Sequence, residues 1–520
     1  MPIKSVIRKG DYRDSVVLMR VSKELESFPG VTKASVMMGT SSNKELLKQA
    51  GILTKEAEAA GPNDLVIVAE ASDEKTLAAA IAHAEKLLME EVQVAERELA
   101  YKTVEAAIGG FAEADLVLIS TPGQFAAREA MKALRAGKHV MIFSSDVPIE
   151  EEVKLKRFAS ERGLLVMGPD CGTAIVGGVG LGFSNIVGRG PVGIVGAAGT
   201  GIQEVSSLLD EVGITSAIGT GSHDPSDAVG AITMISGLKA LEEDENTKVI
   251  VLISKPPSPA VARKVMETVR GLKKPVVVDF IGGDPKIVVE AGGIPAKTLE
   301  DAALKAISIL KGKRPKERKF TLRKKTLQEI VKRETEKLLP TQKYIRGLFS
   351  GGTLCAEAQL LLRELVGDVH SNVPLEPRLK LDDVHRSVAH TCVDMGTEDF
   401  VRGVPHPMID FRFRRERIIR EARDPETAVI LLDVVLGIGA NPDPAGELSP
   451  AIKEAKEIAA KEGRYLPVVA SITGTSRDPQ RKDVQKKKLE EVGVVVMPSN
   501  AQATRLAALI ATRGEVWEKL

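Results

Sequence analysis

Short runs of valine, isoleucine and leucine recur along the chain, and they constrain its fold more than any other feature. Most runs end beside glycine, and segments rich in Ala, Leu, Glu and Lys separate them. Alternating strand and helix at this spacing predicts doubly wound parallel sheets, whose ligands lie at the carboxyl ends of strands. We expect strands at residues 64–70, 115–120, 139–144, 164–168, 192–196, 248–254, 275–283, 428–437 and 467–471.

Length, charge and cysteine content limit the classes of protein to which the chain can belong. A chain of 520 residues is too long for one core, so three to four domains are expected. Lys+Arg (72) and Asp+Glu (71) nearly cancel, which argues against nucleic acid or an anionic membrane as a partner. No apolar run approaches the roughly 20 residues of a membrane span, and the first residues lack a signal-peptide core. The three cysteines, Cys171, Cys355 and Cys392, do not suggest a disulfide framework, so we expect the cytoplasm.

Two segments depart from the alternation of strand and helix. Residues 1–98 contain strand, helix, a Pro-Gly turn and strand, then a further strand and helix, which predicts a small ferredoxin-like α+β domain. Residues 313–342 are highly charged and later acquire helical spacing. A nucleic-acid patch and an interdomain linker with a helix both fit such a run, and the neighbouring acidic residues favour the linker.

Four motifs in the first part of the chain follow the order of a known family. They are Ser120-Thr121-Pro122-Gly123, Gly168-Pro169-Asp170, GPVGIVGAAGTGIQEV at 190–205 and IGTGSHDP at 218–225. Together they resemble the α subunit of succinyl-CoA synthetase and its relatives, the NDP-forming acyl-CoA synthetases. The resemblance implies a Rossmann-like CoA-binding-type domain at 99–189, with the first two motifs in its ligand loop. It also implies a flavodoxin-like ligase domain at 190–312.

The last part of the chain resembles a different subunit. YIRGLFSGGTLCAEAQLLL (344–362) and AVILLDVVLGIGANPDPA (428–445) are similar to the C-terminal ligase domain of the synthetase β subunit. A second flavodoxin-like domain is therefore expected at 343–520. Over its full length the chain resembles the FdrA family, through SGGTLC, VDMGTEDFVRGVPHPMID and ILLDVVLGIGANPDP.

Several catalytic parts of the synthetases are missing. Their phosphorylated histidine lies in a Gly-His-Ala-Gly-Ala turn, and the corresponding region here, DPKIVVEAGGIPAKTLED, has no histidine. Ser254-Lys255 stands where the synthetases have a glutamate. The chain also lacks a nucleotide-grasping domain and a G-x-x-x-x-G-K-[ST] loop. By the route of the synthetases, this chain alone cannot pass phosphate from ATP to a histidine.

Two glycine-rich turns are retained, each between a predicted strand and a predicted helix. Helix N-termini expose unpaired N–H groups and carry partial positive charge, and glycine lets an oxyanion approach the backbone. In the related synthetases two such helices point at a shared phosphate. The alternative is that the glycines only shape turns that any doubly wound fold needs. We expect phosphate or carbamoyl phosphate to bind at Gly196, Gly199, Thr200, Gly201, Gly351, Gly352 and Thr353.

The FdrA resemblance implies an enzyme that works in a hetero-complex. It implies a carbamoyltransferase of purine and ureide breakdown with two further subunits, moving a carbamoyl group between a carrier amide, such as oxamate, and phosphate. Homo-oligomerisation stays open. An acyl-CoA synthetase-like subunit that needs a partner for nucleotide chemistry, and a non-catalytic scaffold, are the competing functions. CoA is expected to bind weakly or not at all, because no strongly basic cluster flanks Ser120–Gly123.

Four side chains are candidates for the reaction itself. Cys171 follows Gly-Pro-Asp, and a thiolate near helix N-termini would be a nucleophile of lowered pKa, whereas simple burial is the alternative. His223 and His406 lie in polar, proline-flanked loops, where catalytic and structural roles both fit. Arg402 is suited to hold the carboxylate of oxamate through two hydrogen bonds.

We expect the following acidic residues to have structural rather than catalytic roles. Asp433 lies near the middle of a strand and requires a partner there, for which a hydrogen-bond network is expected. Asp394, Glu398 and Asp399 are interpreted as a solvated loop. We expect no metal site, since no His/Cys/Asp/Glu cluster has the spacing of metal ligands.

Overall fold

The chain divides into two units in the computed structural model, which describes residues 1–11, 13, 15–97, 101–401 and 404–520. One unit contains Met1–Ala107 and Val401–Pro405, and the other contains Ile108–Phe400 and His406–Leu520. Within the described residues, no helix combines the length and apolar character that a bilayer-spanning segment needs.

The first unit is built on a three-stranded sheet with helices on both faces. Its elements are β1 (Ile3–Arg8), α1 (Ser15–Glu26), β2 (Val31–Met38), α2 (Ser41–Gln49), α3 (Lys55–Ala59), β3 (Leu65–Ala71) and α4 (Glu74–Arg97), followed by α5 (Val104–Gly110). The antiparallel strand order is β1-β3-β2. Side chains of α1 and α4 pack on one face, and side chains around α2 and α3 pack on the other. The expected α+β domain is therefore present, with three strands among the residues described in this unit.

A small parallel sheet opens the second unit. Its elements are β4 (Leu116–Ile119), α6 (Gly123–Arg135), β5 (His139–Ile142), α7 (Ile149–Ser160) and β6 (Val166–Met167). The strand order is β4-β5-β6, so the strands add to one edge in turn. Their carboxyl ends consequently lie side by side, and the loops that follow them form one edge of the sheet.

A seven-stranded sheet follows, in the order β13-β12-β11-β9-β10-β7-β8. Its strands β9 to β13 are parallel, and the β7–β8 hairpin joins β10 antiparallel. The elements are β7 (Thr173–Val176), β8 (Val179–Gly182), β9 (Arg189–Gly196), α8 (Gly199–Leu208), β10 (Ile214–Gly219), α9 (Ile232–Glu243), β11 (Val249–Ser254), α10 (Pro259–Gly271), β12 (Val276–Phe280), α11 (Pro285–Glu290), β13 (Ile294–Pro295) and α12 (Leu299–Leu310).

The hairpin corrects one expected boundary. We placed the end of the Rossmann-like domain at residue 189, yet β7 and β8 precede that position and belong to the sheet of the following domain. The Gly177-Gly178 turn, with two positive φ angles, folds β8 back onto β7, and Ile175 of β7 pairs with Ala217 of β10. The sheet of the ligase-like domain therefore begins at Thr173.

A helix and a five-stranded parallel sheet complete the second unit. The sheet order is β15-β14-β16-β17-β18. The elements are α13 (Lys324–Thr335), β14 (Tyr344–Phe349), α14 (Gly352–Val366), β15 (Thr391–Asp394), α15 (Glu398–Val401), α16 (Arg412–Arg423), β16 (Thr427–Val435), α17 (Pro444–Lys461), β17 (Val468–Thr473), α18 (Lys482–Glu491), β18 (Val495–Met497) and α19 (Asn500–Ala511), with 3₁₀ turns at Pro377–Leu379 and Glu515–Lys519.

The charged segment is packed on the protein. Helix α13 buries Leu327 and Val331, which join the same apolar cluster as α19. Ahead of the helix, the Thr321 N–H donates to Gln502 Oε1 at 3.1 Å, and Arg505 Nη1 donates to the Lys319 carbonyl at 2.9 Å. These contacts agree with the expected linker helix and show that the linker lies against the C-terminal sheet.

One hydrophobic cluster joins the two large sheets. It combines side chains of β9, β11, α8 and α12 from the seven-stranded sheet with side chains of β14, β16, α14 and α19 from the five-stranded sheet. Apolar burial of this kind contributes about 25 cal/mol for each Å² removed from water. The two sheets are therefore held in a fixed relation, and the loops at their carboxyl ends are positioned by a shared core.

Candidate functional site

The first glycine-rich turn, residues 196–201, lies where the seven-stranded sheet reverses its order. In the sheet, β10 lies on one side of β9, and β11, β12 and β13 lie on the other side. Ligands of doubly wound sheets bind outside the carboxyl ends of strands at such a switch point. Gly196 makes the turn tight, because a Cβ there would lie 2.9 Å from Ile202 Cγ1. Gly199 is the first residue of α8, which has no side-chain N-cap.

The second glycine-rich turn, residues 351–353, occupies the equivalent place in the five-stranded sheet. Strand β14 lies between β15 and β16, and the connections again leave in opposite directions. Helix α14 begins at Gly352, and its N-cap residue Gly351 has no side chain to accept a hydrogen bond. Each switch point thus ends in a helix N-terminus whose first N–H groups lack intrahelical acceptors.

The two turns touch each other. A Cβ on Gly351 would lie 2.9 Å from Thr200 Oγ1, and a Cβ on Gly201 would lie 2.9 Å from Thr353 Cγ2. Each threonine therefore fills space that a glycine of the opposite turn leaves open. The expectation that both helix N-termini meet at one place agrees with this geometry, and at Gly201 and Gly351 the absent side chain also serves packing.

Asp433 supports the second turn from beneath. Its carboxylate accepts the Ser350 N–H at 2.8 Å, the Gly351 N–H at 2.7 Å and the Ser350 hydroxyl at 3.0 Å. Arg414 Nη2 donates to the same carboxylate at 2.9 Å, and both side chains are fully buried. The Gly351 N–H already donates to Asp433. The expectation that this N–H binds phosphate is therefore wrong. The donors left at this turn belong to Gly352 and Thr353.

Asp394 ends β15 and lies against the second turn. Strands β14 and β15 run parallel with Phe349 opposite Asp394, so the carboxylate stands beside the residues that follow Phe349. Asp394 Oδ2 lies 2.7 Å from the position of a Cβ on Gly352. We interpreted Asp394 with Glu398 and Asp399 as a solvated loop. That is wrong for Asp394, which is partly buried, whereas the other two are exposed.

His406 lies on the other side of the same loop. Its Nε2 is 2.8 Å from the position of a Cβ on Gly396, and its ring packs 6.0 Å from that of Phe183. Burial, with a smaller contribution from the Arg414 charge, lowers the pKa of His406 to about 4. Nδ1 accepts the Met408 N–H at 3.2 Å, so the proton of the neutral ring is on Nε2. Near neutral pH, His406 is a hydrogen-bond donor at the site.

Lys255 supplies positive charge from the opposite sheet. It follows the last residue of β11, Ser254, and therefore stands at the first switch point. Its exposed ammonium attracts the Asp394 carboxylate and lowers the pKa of that group, against the larger effect of burial.

The two halves of the expected ligand loop come together at the edge of the small sheet. The Ser144 hydroxyl donates to the Thr121 carbonyl, and the Asp170 N–H donates to the Ser144 carbonyl at 2.9 Å. Gly123 packs so closely on the Ser145 carbonyl that no side chain fits. Residues 120–123, 144–148 and 168–172 contain no Lys or Arg. That CoA binds weakly or not at all at these loops stays a prediction.

Cys171 does not have the properties that we expected of a nucleophile. The thiol is 3% exposed, and burial raises the pKa of Cys171 to about 12. Its Sγ is 3.5 Å from the Thr173 carbonyl, to which it donates. A thiol of this pKa holds almost no thiolate at neutral pH, so the nucleophile hypothesis is wrong and the packing alternative agrees with the structure.

Of the other two candidates, His223 contacts α7 and Arg402 lies outside the described residues. His223 is exposed, and its Nδ1 is 3.4 Å from Glu152 Oε2 on α7. Glu152 also pairs with Lys156, whose Nζ reaches Asp224 at 2.8 Å, so His223 borders a buried ion network. Arg402 lies outside the described residues, and its expected role stays a prediction. Among the described residues, no group of three His, Cys, Asp or Glu side chains could hold a metal ion.

Asp394, Lys255 and Arg414 are the residues that sequence reasoning did not select. A signal was available for Asp394, since a polar residue directly after a buried parallel strand lies at the ligand-binding edge of the sheet. Lys255 was noticed only as the absence of a glutamate. Arg414 carried no local signal, because its buried pairing with Asp433 depends on the packing of α16.

The fold and the paired switch points are of the CoA-ligase type. The CoA-ligase family model matches residues 348–510, and the CoA binding domain model matches residues 188–282. The second match lies on the seven-stranded sheet, largely C-terminal to the 99–189 segment in which we expected the CoA-binding-type domain. A third model, "AllF, heavy metal-associated domain", matches residues 1–103, a segment that contains no cysteine.

Similar proteins identify the family. YahF of Escherichia coli is 44% identical over 517 residues, which cover 99% of this chain and all of YahF. The chain belongs to the family of YahF, an FdrA-like protein.

More distant similarities cover only parts of the chain or carry little weight. A succinate–CoA ligase [ADP-forming] α subunit of Archaeoglobus fulgidus is 30% identical over 187 residues, 35% of this chain and 62% of that subunit. An acetyl-coenzyme A synthetase structure of Ca. Korarchaeum cryptofilum covers 78% of this chain and 85% of its own, at 16% identity. Its TM-score of 0.32 is too low to support a detailed comparison.

Proposed function

We propose that this chain is a subunit of a cytoplasmic carbamoyltransferase that moves a carbamoyl group between an oxamate-type amide and phosphate. The observation that carries the proposal is the contact between the two helix N-termini, Thr200 on Gly351 and Thr353 on Gly201. In the synthetase superfamily this arrangement serves a phosphate, and here the phosphorylated histidine is missing. Phosphate itself is then the reacting group.

The chemistry balances without a nucleotide. An oxygen of hydrogen phosphate attacks the carbamoyl carbon, and a C–O bond forms. The bond between that carbon and the carrier amide nitrogen breaks, and the nitrogen takes a proton. The proton that hydrogen phosphate loses accounts for the one that the nitrogen gains, so the products are carbamoyl phosphate and the free amide.

The residues at the turns suit an anion that gains charge during the reaction. N–H groups of Gly199, Thr200 and Gly201 begin α8, and those of Gly352 and Thr353 begin α14. Each helix N-terminus contributes roughly half a positive charge. Lys255 adds a full charge from the end of β11. Donors fixed in this way also stabilise a tetrahedral intermediate, as in an oxyanion hole.

Two further subunits complete the proposed enzyme. They would supply the binding site for the carrier amide, toward which Arg402 is the candidate in this chain. The CoA-ligase and CoA binding domain matches favour a second candidate, a synthetase subunit that borrows its histidine from a partner. Ser254-Lys255, which stands where the synthetases have a glutamate, counts against it.

Removing one backbone donor tests the phosphate site. Gly199 is the first residue of α8, where proline is tolerated, and Ala198 before it is extended rather than helical. We expect Gly199→Pro to keep the helix, to weaken phosphate binding measured by calorimetry, and to slow carbamoyl transfer by roughly 10²–10³-fold in the reconstituted complex.

The matched control keeps the donor and adds a side chain. A Cβ on Gly199 meets only Thr173, with Oγ1 at 3.4 Å, so Gly199→Ala fits without displacement. We expect Gly199→Ala to bind phosphate and turn over close to the wild type. If both variants melt at the wild-type temperature and both bind phosphate normally, the turns have a structural role alone and the proposal is wrong.

A further inference from the structure

Asp394 is held rigidly at the second turn, with one oxygen uncommitted. Its N–H donates to Asn372 Oδ1 at 2.9 Å, and Asn372 Nδ2 donates back to the Asp394 carbonyl at 2.8 Å. The side-chain Oδ1 accepts the Gly396 N–H at 2.9 Å. Among the described residues, no donor is bonded to Oδ2, the oxygen that faces Gly352. A free carboxyl oxygen is thus fixed beside a helix N-terminus.

Charged and polar groups from several parts of the chain surround Asp394 and determine its charge. Burial is the largest effect and raises the pKa of Asp394 to about 6, with a smaller rise from the Asp433 carboxylate. The Gly396 N–H and Lys255 act in the opposite direction. His406 is neutral near pH 7, and Arg414 is paired with Asp433. Asp394 therefore exchanges its proton close to neutral pH, as a general acid–base group must.

Neighbouring acidic residues do not share these properties. Glu398 and Asp399 follow in the same loop region, and both are exposed to solvent. Asp433 has both oxygens committed to the turn and to Arg414. Of the described carboxylates around the second turn, Asp394 combines a fixed position, a free oxygen and proximity to the N–H groups of α14.

We infer that Asp394 is the proton-transfer residue of this site, taking the proton of the attacking phosphate and delivering it to the departing amide nitrogen. The inference rests on the proposed function. In the forward step the Asp394 carboxylate removes the proton of hydrogen phosphate as the C–O bond forms. The resulting carboxylic acid gives the same proton to nitrogen as the C–N bond breaks, so Asp394 returns to its starting state.

The test compares Asp394→Asn with Asp399→Asn in the reconstituted complex. The amide oxygen introduced by Asp394→Asn can still accept the Gly396 N–H, so the loop should be preserved. We expect Asp394→Asn to lower kcat by roughly 10²–10⁴-fold while the chain still binds phosphate. The wild-type pH–rate profile should show an ionisation near pH 6 that Asp394→Asn removes. Asp394→Glu should restore part of the rate, and Asp399→Asn should behave as the wild type.

The outcomes separate this inference from the proposed function. A wild-type complex without phosphate-dependent carbamoyl transfer would overturn both. Normal transfer by the wild type together with an unchanged rate and pH profile for Asp394→Asn would overturn the role of Asp394 alone. Loss of phosphate binding in Asp394→Asn, with kcat unchanged at saturating phosphate, would also overturn it, since Asp394 would then only position the turn.

Discussion

Several carboxylates are buried where the two large sheets meet, and each has a raised pKa. Burial is the largest cause for Glu204, Glu300 and Glu357, and for Asp279. Three of them connect the sheets through their oxygens: Glu204 accepts the Asn500 N–H at 3.0 Å, Glu357 accepts the Leu299 N–H at 2.8 Å, and Glu300 accepts a hydrogen bond from Gln502 Nε2. The packing of the two sheets against each other therefore depends on whether these side chains are protonated.

The raised pKa of Glu300 predicts the direction in which the stability of the protein changes with pH. Burial raises its pKa to about 7, against the smaller and opposite effect of the hydrogen bond that Gln502 Nε2 donates to Oε1. A carboxyl whose pKa is higher in the folded state stabilises below its unfolded pKa, near 4.5. That contribution, at most about 3 kcal/mol, is lost as pH rises through about 7. We expect the wild-type melting temperature to fall between about pH 5 and pH 8, more steeply than that of Glu300→Gln.

A surface glutamate provides the control for that experiment. Glu267 lies on α10 and is exposed, so Glu267→Gln should melt with the pH dependence of the wild type. Parallel melting curves for Glu300→Gln and the wild type across this range would show that Glu300 does not carry the effect.

At the scale of elements, the contact between α8 and α14 is the most specific feature. A Cβ on Gly201 would lie 2.9 Å from Thr353 Cγ2, closer than side-chain atoms approach. We expect Gly201→Ala to destabilise the protein by about 1–3 kcal/mol through overpacking, measured by urea unfolding. In the Thr353→Ser background the offending methyl group is gone, and the same change should cost at least about 1 kcal/mol less.

The double-mutant comparison decides whether that contact exists in solution. An equal cost of Gly201→Ala in both backgrounds would mean that Gly201 and Thr353 are not neighbours. A smaller cost in the Thr353→Ser background supports the facing arrangement of the two turns, on which the phosphate site depends.

Sequence patterns predicted the elements better than their contacts. Buried runs such as residues 192–196 and 248–254 became β9 and β11, since a fully buried parallel strand must be apolar throughout. The glycine-rich turns were located for the same reason. The β7–β8 hairpin was not expected, because its strands are short and one of them, Val179–Gly182, is half glycine. Local sequence does not show which sheet such a hairpin joins.

The site was predicted in part, and the failures have physical causes. Thr200 and Gly351 lie far apart in sequence, so their contact depends on the shared core rather than on any local pattern. The raised pKa of Cys171 follows from complete burial, which the polar Gly-Pro-Asp context did not reveal. Asp394 was misinterpreted because it lies against the second turn, with Oδ2 2.7 Å from the position of a Cβ on Gly352, a contact that only tertiary packing brings about.

At the scale of the whole molecule, one chain carries both halves of a paired-helix site. The α-subunit-like and β-subunit-like sheets share one hydrophobic cluster, so their switch points meet without assembly of two subunits. By its resemblance to the synthetases, the sequence lacks a histidine in the region of their phosphohistidine, and Ser254-Lys255 stands at the end of β11 where they have a glutamate. The combination favours a phosphate that reacts directly over a phosphate that is carried on the protein.

Phosphorus NMR of the reconstituted complex tests this central claim most directly. The complex is incubated with a carbamoylated oxamate-type donor and inorganic phosphate, without nucleotide, and then separately with ATP, CoA and a carboxylic acid. The account predicts a carbamoyl phosphate resonance in the first mixture and no phosphohistidine on any of the seven histidines in the second. Phosphohistidine with ATP-dependent acyl-CoA formation, and no carbamoyl phosphate from the first mixture, would contradict it.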